Sequence, residues 1–436
     1  MEVHGRRVTV MGLGRHGGGV NAARWLAERG AVVTVTDLAD ESALADSLAE
    51  LRDAPIARYR LGGHCDEDFR LAELVIVNPA VKPGNAWIGI AEAAGATMTS
   101  EIELFLNASP ARVVGVTGSN GKSTTSAMTA AILETDGRRV WLGGNLGGSL
   151  LGELERMTAD DWVVLELSSF QLARISGESR WPEAAIVVNC TPNHLDWHGD
   201  WQSYIDAKQR LLTGQSAEGL AVLNTRDPEV SRWKKLVRGR LLPPLKDEDV
   251  PPLAVPGEHN RHNAACAAAA AIGLGCSPQA VERGLTAFCG LPHRLEAALE
   301  ADGRTFYNDS MATTPESVMA AINALGPRAW FLVGGYDKGV DYERLIARLA
   351  NGARGAAFYG AVRNKLMALA SGLSTHCEFY ACDTLHEALA WCWRRSQAGE
   401  AIVLSPACAS YDQFRDYRHR ARTFIEAARA LTMRSA

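Results

Sequence analysis

The sequence predicts an α/β protein made of three successive α/β domains. Three observations carry this reading. Short apolar runs rich in β-branched residues alternate with segments of helical spacing along the whole chain. Two glycine-rich loops each stand between such a run and such a segment. The length of 436 residues suggests about three domains at roughly 150 residues each.

The first domain is expected over residues 1–104 and opens with the strand pattern Val8-Thr-Val-Met11. Gly12-Leu13-Gly14-Arg15-His16-Gly17 follows, and Asn21–Glu28 then has helical spacing. Glycines at these three positions permit a tight turn and let backbone N–H groups approach a phosphate at a helix N-terminus. Ala31–Thr36 and Leu74–Asn78 read as later strands, and Asp37 stands twenty residues past Gly17 at a strand end. There a carboxylate can accept from a ribose hydroxyl. The pattern is Rossmann-like. It fits a dinucleotide, a nucleotide-sugar diphosphate, or a tight turn that holds nothing.

The second domain, expected over 105–290, starts with the strand Arg112–Thr117 and the loop Thr117-Gly118-Ser119-Asn120-Gly121-Lys122-Ser123-Thr124. This is a shortened P-loop, with Val116 where the common form has glycine. Its N–H groups and Lys122 suit triphosphate oxygens, and the Ser123 hydroxyl suits Mg²⁺, so the domain reads as P-loop ATPase-like. Glu166 ends the apolar strand Trp162–Glu166, a position from which a carboxylate can hold a cation beside a P-loop. His194, Asp196 and His198 crowd the loop after the next strand, a set that suits a metal, an anion or an empty polar loop. Lys208, on an apparent helix, reads by itself as a solvated surface lysine. Prolines cluster from Pro243 to Pro256, marking a surface loop or a linker, and an alanine-rich helix is expected at 263–275. His259-Asn260 and Asn263 stand at its start, where asparagine caps a helix or reads an adenine edge.

The third domain, over 291–436, is again Rossmann-like. Its apolar runs include Trp330–Val333, Ala356–Tyr359 and Ala401–Leu404. Arg294 suits a phosphate. Asp309, the Gly334–Lys338 turn and the Ser405–Phe414 stretch each follow a strand, on the sheet edge where α/β ligand sites form.

Composition narrows the partners. There are 45 basic and 50 acidic residues, a net charge of −5, which gives no electrostatic case for nucleic acid or an anionic membrane. No apolar run approaches the roughly 20 residues that span a bilayer, and no signal-peptide pattern opens the chain. The nine cysteines lack Cys-x-x-Cys spacing, so reduced thiols in a cytoplasmic protein are expected.

Together the motifs resemble the Mur ligases of peptidoglycan synthesis. The carrying residues, in order, are Gly12-Leu-Gly14, Thr117–Thr124, Leu165-Glu-Leu-Ser-Ser-Phe-Gln171, His194-Leu-Asp196, His259-Asn260, Gly290-Leu-Pro-His-Arg294, Asn308-Asp-Ser310 and Leu404-Ser-Pro-Ala-Cys-Ala-Ser410. The resemblance covers essentially the whole chain. It implies an ATP-dependent ligase that adds glutamate to UDP-N-acetylmuramoyl-L-alanine, with no nicotinamide. It further implies that Leu13, Gly14, Arg15, His16, Asp37 and Asn78 hold the UDP part and that Asn145 contacts the muramoyl part. Gly118–Thr124, Asn260, Asn263, Arg294 and Asp309 would bind ATP, with Lys122, His194 and Lys208 catalytic. Two Mg²⁺ ions would be held, one by Ser123 and Glu166, the other by His194 with Lys208 as a carbamate. Thr313, Lys338, Ser410 and Tyr417 would take the glutamate. One position departs from the family: Met311 stands where Asp-Ser-Lys-Ala-Thr is usual. D-glutamate is the expected acceptor, L-glutamate the alternative, and a catalytically silent nucleotide-binding scaffold the reading from another class. The remaining expectation is a monomer in the cytoplasm.

Overall fold

The computed structural model describes residues 2–13, 17–337 and 339–433. The chain forms two compact units, Met1–Pro251 with His262–Leu285, and Pro252–Arg261 with Thr286–Ala436. The proline cluster therefore includes the point where the chain first leaves one unit for the other.

The first unit contains two parallel sheets. One holds β1 (Arg7–Met11), β2 (Val32–Asp37), β3 (Arg58–Leu61), β4 (Leu74–Val77) and β5 (Thr97–Thr99) in the order β3-β2-β1-β4-β5. The order reverses direction between β1 and β4, so the crevice at their C-terminal ends lies beside the turn that follows β1. The other sheet holds β6 (Arg112–Thr117), β7 (Val140–Gly144), β8 (Trp162–Glu166), β9 (Ala184–Val187), β10 (Leu220–Leu223) and β11 (Arg240–Leu242) in the order β11-β10-β9-β6-β8-β7. β6 lies between β8 and β9, so the loop after β6 is flanked by the ends of both.

Helices pack against these sheets, and the inner strands β4, β6, β8 and β9 are near-continuous buried runs and not alternating ones. Val113, Val114 and Val116 of β6 and all five residues of β8 are buried. One core runs from Val8, Val33 and Ile76 through Phe105 to Val113, Leu165 and Val187, so the two sheets of this unit share it.

The second unit holds a mixed sheet: β12 (Glu296–Ala301), β13 (Arg304–Asn308), β14 (Ala329–Gly334), β15 (Gly355–Tyr359), β16 (Glu378–Ala381) and β17 (Ala401–Ala407), in the order β12-β13-β17-β14-β15-β16. Only β12 runs antiparallel to its neighbour. Separate cores pack its two faces, one around Phe331 and Phe358, the other around Trp330 and Phe306. Two elements differ from their sequence reading. The alanine-rich helix begins at Glu258 and ends at Gly273, so Asn260 and Asn263 lie within its first turns and not ahead of it. The last strand runs on to Ala407, whose φ of 58° ends it.

Candidate active site

At the first sheet, Gly12 and Leu13 leave β1, and Gly17 enters the helix Gly18–Glu28 with φ of 81°. Gly14, Arg15 and His16 lie outside the described residues. Gly19 was not singled out by the sequence pattern, yet a Cβ there would stand 2.5 Å from the carbonyls of Gly12 and Leu13. Helix and loop pack backbone to backbone at that point. Asp37 ends β2, and its Oδ1 accepts from the Ala39 N–H at 2.9 Å. Asn78 Nδ2 donates to the Gly12 carbonyl at 3.1 Å, so Asn78 braces the glycine turn. Sequence reasoning also missed His64. Its Nδ1 lies 2.7 Å from Thr36 Oγ1, and its ring packs edge-on against Phe69 and Trp87. Burial lowers its pKa. Its one signal was the Gly62-Gly63 turn at the end of β3.

The central sheet assembles the main constellation by register. Val116 of β6 and Gly144 of β7 both pair with Glu166 of β8, while Thr117 pairs with Val187 of β9. All these strand ends therefore sit at one level. Gly121 enters the helix Lys122–Thr135 with φ of 79°. A Cβ on it would come 2.5 Å from Asn263 Oδ1, so both conformation and space call for glycine. The N–H groups of Ser119 and Asn120 donate to Asn189 Oδ1 at 2.9 and 2.8 Å. Lys122 Nζ donates to the Ser119 carbonyl at 2.9 Å. Ser123 and Thr124 follow Lys122 in the first turn of the helix, and Ser123 is buried.

Asn145 Nδ2 donates to Glu166 Oε1 at 2.7 Å, whereas Glu166 Oε2 is buried with no hydrogen-bond partner. Lys208 on the helix Trp201–Thr213 is fully buried and not a surface lysine. Its Nζ donates to the Gly118 carbonyl at 2.7 Å and to Thr117 Oγ1 at 3.4 Å. Burial, and next the charge of Lys122, hold its pKa well below the usual 10.5. His194 precedes the short helix Leu195–His198 with φ of 55°, and its ring lies 4.7 Å from that of Phe170. Ser168 caps the helix Ser169–Leu172 in a reciprocal box with Gln171, which sets Phe170 against the histidines. His198 Nε2 lies 2.9 Å from Ser169 Oγ. Burial, then His194 and Lys208, lower its pKa to about 4, so it is neutral at physiological pH. Glu101 is a further residue missed by sequence. It accepts from Ser149 Oγ at the far end of the Asn145 loop, and burial pushes its carboxyl up to about 7.

In the second unit, Asp309 follows β13. Its Oδ2 accepts from Ser405 Oγ at 2.7 Å and its Oδ1 from the Leu295 N–H at 3.1 Å. Arg294 is close enough that its charge acts on Asp309. Asn260 Nδ2 donates to the Pro256 carbonyl at 2.7 Å. Met311 N–H donates to the His293 carbonyl at 3.2 Å, and Thr313 N–H to the Met311 carbonyl at 2.9 Å. Ser310 Oγ donates to the Tyr417 carbonyl at 2.8 Å, and Ser410 is buried nearby in sequence after β17. Lys338 lies outside the described residues. Arg420, unremarked in the sequence, is fully buried and donates to Ser310 Oγ, the Ser310 carbonyl and the Cys408 carbonyl at 2.8–3.0 Å.

Comparison with known proteins decides the family. The MurD-like N-terminal domain of Mur ligases matches residues 6–100, the Mur ligase middle domain 116–243, and the Mur ligase glutamate ligase domain 293–408. A protein of Geotalea uraniireducens (strain Rf4) named UDP-N-acetylmuramoylalanine–D-glutamate ligase is 34% identical, covering 99% of each chain. A protein of the same name from Geobacter metallireducens is 35% identical, again covering 99% of each chain. The chain belongs to the Mur ligase family. As a Mur ligase it is an ATP-dependent ligase of peptidoglycan synthesis, which removes the silent-scaffold alternative. Solved structures share the fold. The UDP-N-acetylmuramate–alanine ligase MurC of Thermotoga maritima has TM-score 0.61 and 20% identity, covering 98% of this chain and 99% of that one. A MurF structure from Acinetobacter baumannii has TM-score 0.59 and 15% identity, covering 97% and 91%.

The donor set of this Mur ligase fits a hard cation. A buried carboxylate oxygen lacking a partner costs on the order of 1–3 kcal/mol, and Glu166 Oε2 is such an atom, at the same strand-end level as the P-loop. Among the described residues no three His, Cys, Asp or Glu form a metal cluster by themselves. The oxygens of Ser123 and of a nucleotide are then the natural complement, as oxygen-rich Mg²⁺ sites near phosphates require. No helix among the described residues is long and apolar enough to cross a membrane.

Proposed function

We propose that this Mur ligase joins the amine of D-glutamate to the L-alanyl carboxylate of UDP-N-acetylmuramoyl-L-alanine, with ATP giving ADP and phosphate. The observation that carries the substrate assignment is the whole-chain similarity, at 34–35% identity, to relatives named for that reaction. Three domains would divide the labour: 1–104 for UDP, 105–290 for ATP, and 291–436 for the amino acid.

The chemistry follows from the acceptor. A carboxylate is a poor acyl donor, so the alanyl carboxylate first attacks the γ-phosphorus of ATP, and ADP leaves. The amine of glutamate then attacks the acyl carbon, and phosphate departs as the amide forms. Lys122, with the N–H groups of Gly118–Ser123, offsets charge on the transferred phosphoryl group. Ser123 and Glu166 would hold one Mg²⁺, and His194 with Lys208 a second. Bound Mg²⁺ neutralises phosphate charge and orients the phosphoryl oxygens. Lys208 would join such a set as a carbamate, which turns its amine into the oxygen donor that Mg²⁺ takes. Among the described residues no carboxylate pairs with its buried amine, which favours the carbamate reading. Leu13, Gly14, Arg15, His16, Asp37, Asn78 and Asn145 would bind the UDP-sugar. Asn260, Asn263, Arg294 and Asp309 would complete the nucleotide site, and Thr313, Lys338, Ser410 and Tyr417 would hold glutamate. The enzyme would act as a monomer in the cytoplasm, where ATP and reduced thiols such as its nine free cysteines are found.

The test is an acceptor screen. Purified protein with UDP-N-acetylmuramoyl-L-alanine, ATP and Mg²⁺ should release phosphate when D-glutamate is added. Release with L-glutamate alone would overturn the acceptor assignment. Labelled bicarbonate should give a carbamate resonance in the wild type that Lys208→Arg lacks.

A further inference from the structure

Three hydrogen bonds run between the loop after β4 and the segments that hold His194. Lys82 Nζ donates to the Asp196 carbonyl at 2.8 Å. Trp197 Nε1 donates to the Ala80 carbonyl at 3.3 Å. The guanidinium of Arg174 donates to the Val81 carbonyl at 2.6 Å, and its carbon lies 5.9 Å from the centre of the Trp197 ring. The other end of the loop is fixed to the first glycine turn. Asn78 Nδ2 donates to Gly12, while Asn78 Oδ1 accepts from the Ala80 N–H at 2.9 Å. A Cβ on Gly12 would stand 2.8 Å from that of Asn78, so turn and loop are in direct contact. Contacts therefore pass unbroken from Gly12 through Asn78 and Ala80–Lys82 to Asp196 and Trp197.

His194 needs such support. Its left-handed backbone, φ of 55°, is unfavourable for a residue with a Cβ and persists only where neighbours impose it. The helix that follows is the single turn Leu195–His198, too short to hold its own conformation. Phe170 backs the His194 ring on one side. The 80–82 loop grips the backbone of the turn at Asp196 and its side chain at Trp197.

We infer that the Ala80–Lys82 loop is a positioning element through which filling of the UDP site tightens the backbone around His194. Lys82 and Trp197 are its positioning residues. They act through the 194–198 turn and do not themselves meet the reacting atoms. The inference rests on the proposed roles of the Gly12 turn and His194.

Hydrogen exchange on the full-length protein tests it. With no nucleotide present, UDP-N-acetylmuramoyl-L-alanine should slow exchange of the Trp197, His198 and Gly199 amides, which bond the His194 and Leu195 carbonyls. The expected slowing is about 5-fold or more, the lower end of ordinary inter-site coupling. In Lys82→Met with Trp197→Phe it should fall to less than about twofold, while calorimetric affinity for the UDP-substrate stays within about twofold of wild type. Lys82→Met alone, an exposed change that leaves the fold intact, should lose part of the slowing. Slowing absent in the wild type, or undiminished in both variants, overturns the inference. His194→Ala separates it from the reading beneath. If that variant keeps wild-type Mg²⁺ dependence of binding to a non-hydrolysable ATP analogue, the ligand role of His194 fails. If that dependence weakens, with the ion assigned to Ser123 and Glu166 remaining, while both loop variants keep the slowing, the coupling alone fails.

Discussion

Asp309 gives a direct test of how burial sets charge in the second unit. Its carboxyl accepts from Ser405 Oγ and the Leu295 N–H, and Arg294 adds a favourable charge. Burial outweighs all three and pushes the pKa up to about 7 from the ordinary 3.8. Between those values the unfolded chain has lost the proton and the folded chain keeps it. The folded state then binds more protons, so stability falls as pH rises through this window and levels off above about 7. At about 1.4 kcal/mol per pH unit the full loss is on the order of 4 kcal/mol, an upper bound because the site relaxes when it ionises. Asp309→Asn removes the titration and keeps the shape. Its carbonyl still accepts from Leu295, and Ser405 Oγ can turn to accept from the new amide. In urea unfolding of the second unit, the stability of the variant relative to wild type should rise by about 2–3 kcal/mol from pH 5 to pH 8 and then stay flat. A difference that does not change with pH, or one that moves the other way, would refute the assignment of burial as the dominant cause.

Other residues give further expectations. Gly121→Ala combines a left-handed backbone with a Cβ against Asn263 Oδ1. It should cost at least about 1–2 kcal/mol in thermal melting and weaken ATP binding, and adding Asn263→Ala should recover only the crowding part. Glu166→Gln should raise the Mg²⁺ needed for half-maximal activity about tenfold or more while shifting stability by less than about 1 kcal/mol, since the lost oxygen has no protein partner to leave behind. Arg420→Met removes three donors from a fully buried site and should cost on the order of 3 kcal/mol. Because those bonds fix Ser310 and Cys408, it should also raise KM for glutamate more than KM for ATP in steady-state assays.

Sequence and structure agree most where function depends on local spacing. Thr117–Thr124 encodes its own turn, and Glu166 is placed by the register of neighbouring strands, so both were legible. The α/β alternation gave the three sheets for the same reason. What was not legible depends on partners far along the chain. Arg420 meets Ser310 across 110 residues, Lys82 meets Asp196 across 114, and His64 meets Thr36 across 28. Nothing near Arg420 in the sequence marks it as buried, since Arg418, Arg420 and Arg422 look alike until the helix is docked. Taken by itself Lys208 reads as solvated for the same reason, although Tyr204, Ile205, Leu211 and Leu212 put one face of its helix inside. The segment Glu296-Ala-Ala-Leu-Glu-Ala301 is made of good helix formers, yet it is the antiparallel edge strand β12. There cross-strand pairing overrides propensity.

The net charge of −5 is compatible with anionic substrates because the P-loop gathers donors on uncharged acceptors. Lys122 donates to the carbonyl of Ser119, and the Ser119 and Asn120 amides donate to the side-chain oxygen of Asn189. Each of these acceptors is an uncharged carbonyl. A phosphate oxygen competes with them on favourable terms, because hydrogen bonds to an ionised acceptor are roughly twice as strong as neutral ones. The donors are thereby already gathered and oriented, so binding does not require a basic surface to concentrate the ligand first. Asn189 is central to this arrangement, because its Nδ2 also donates to the Asn120 carbonyl and so fixes the loop on both sides of one residue. On the proposed role of the loop, its selectivity for phosphate would come from exchange of one acceptor for a stronger one.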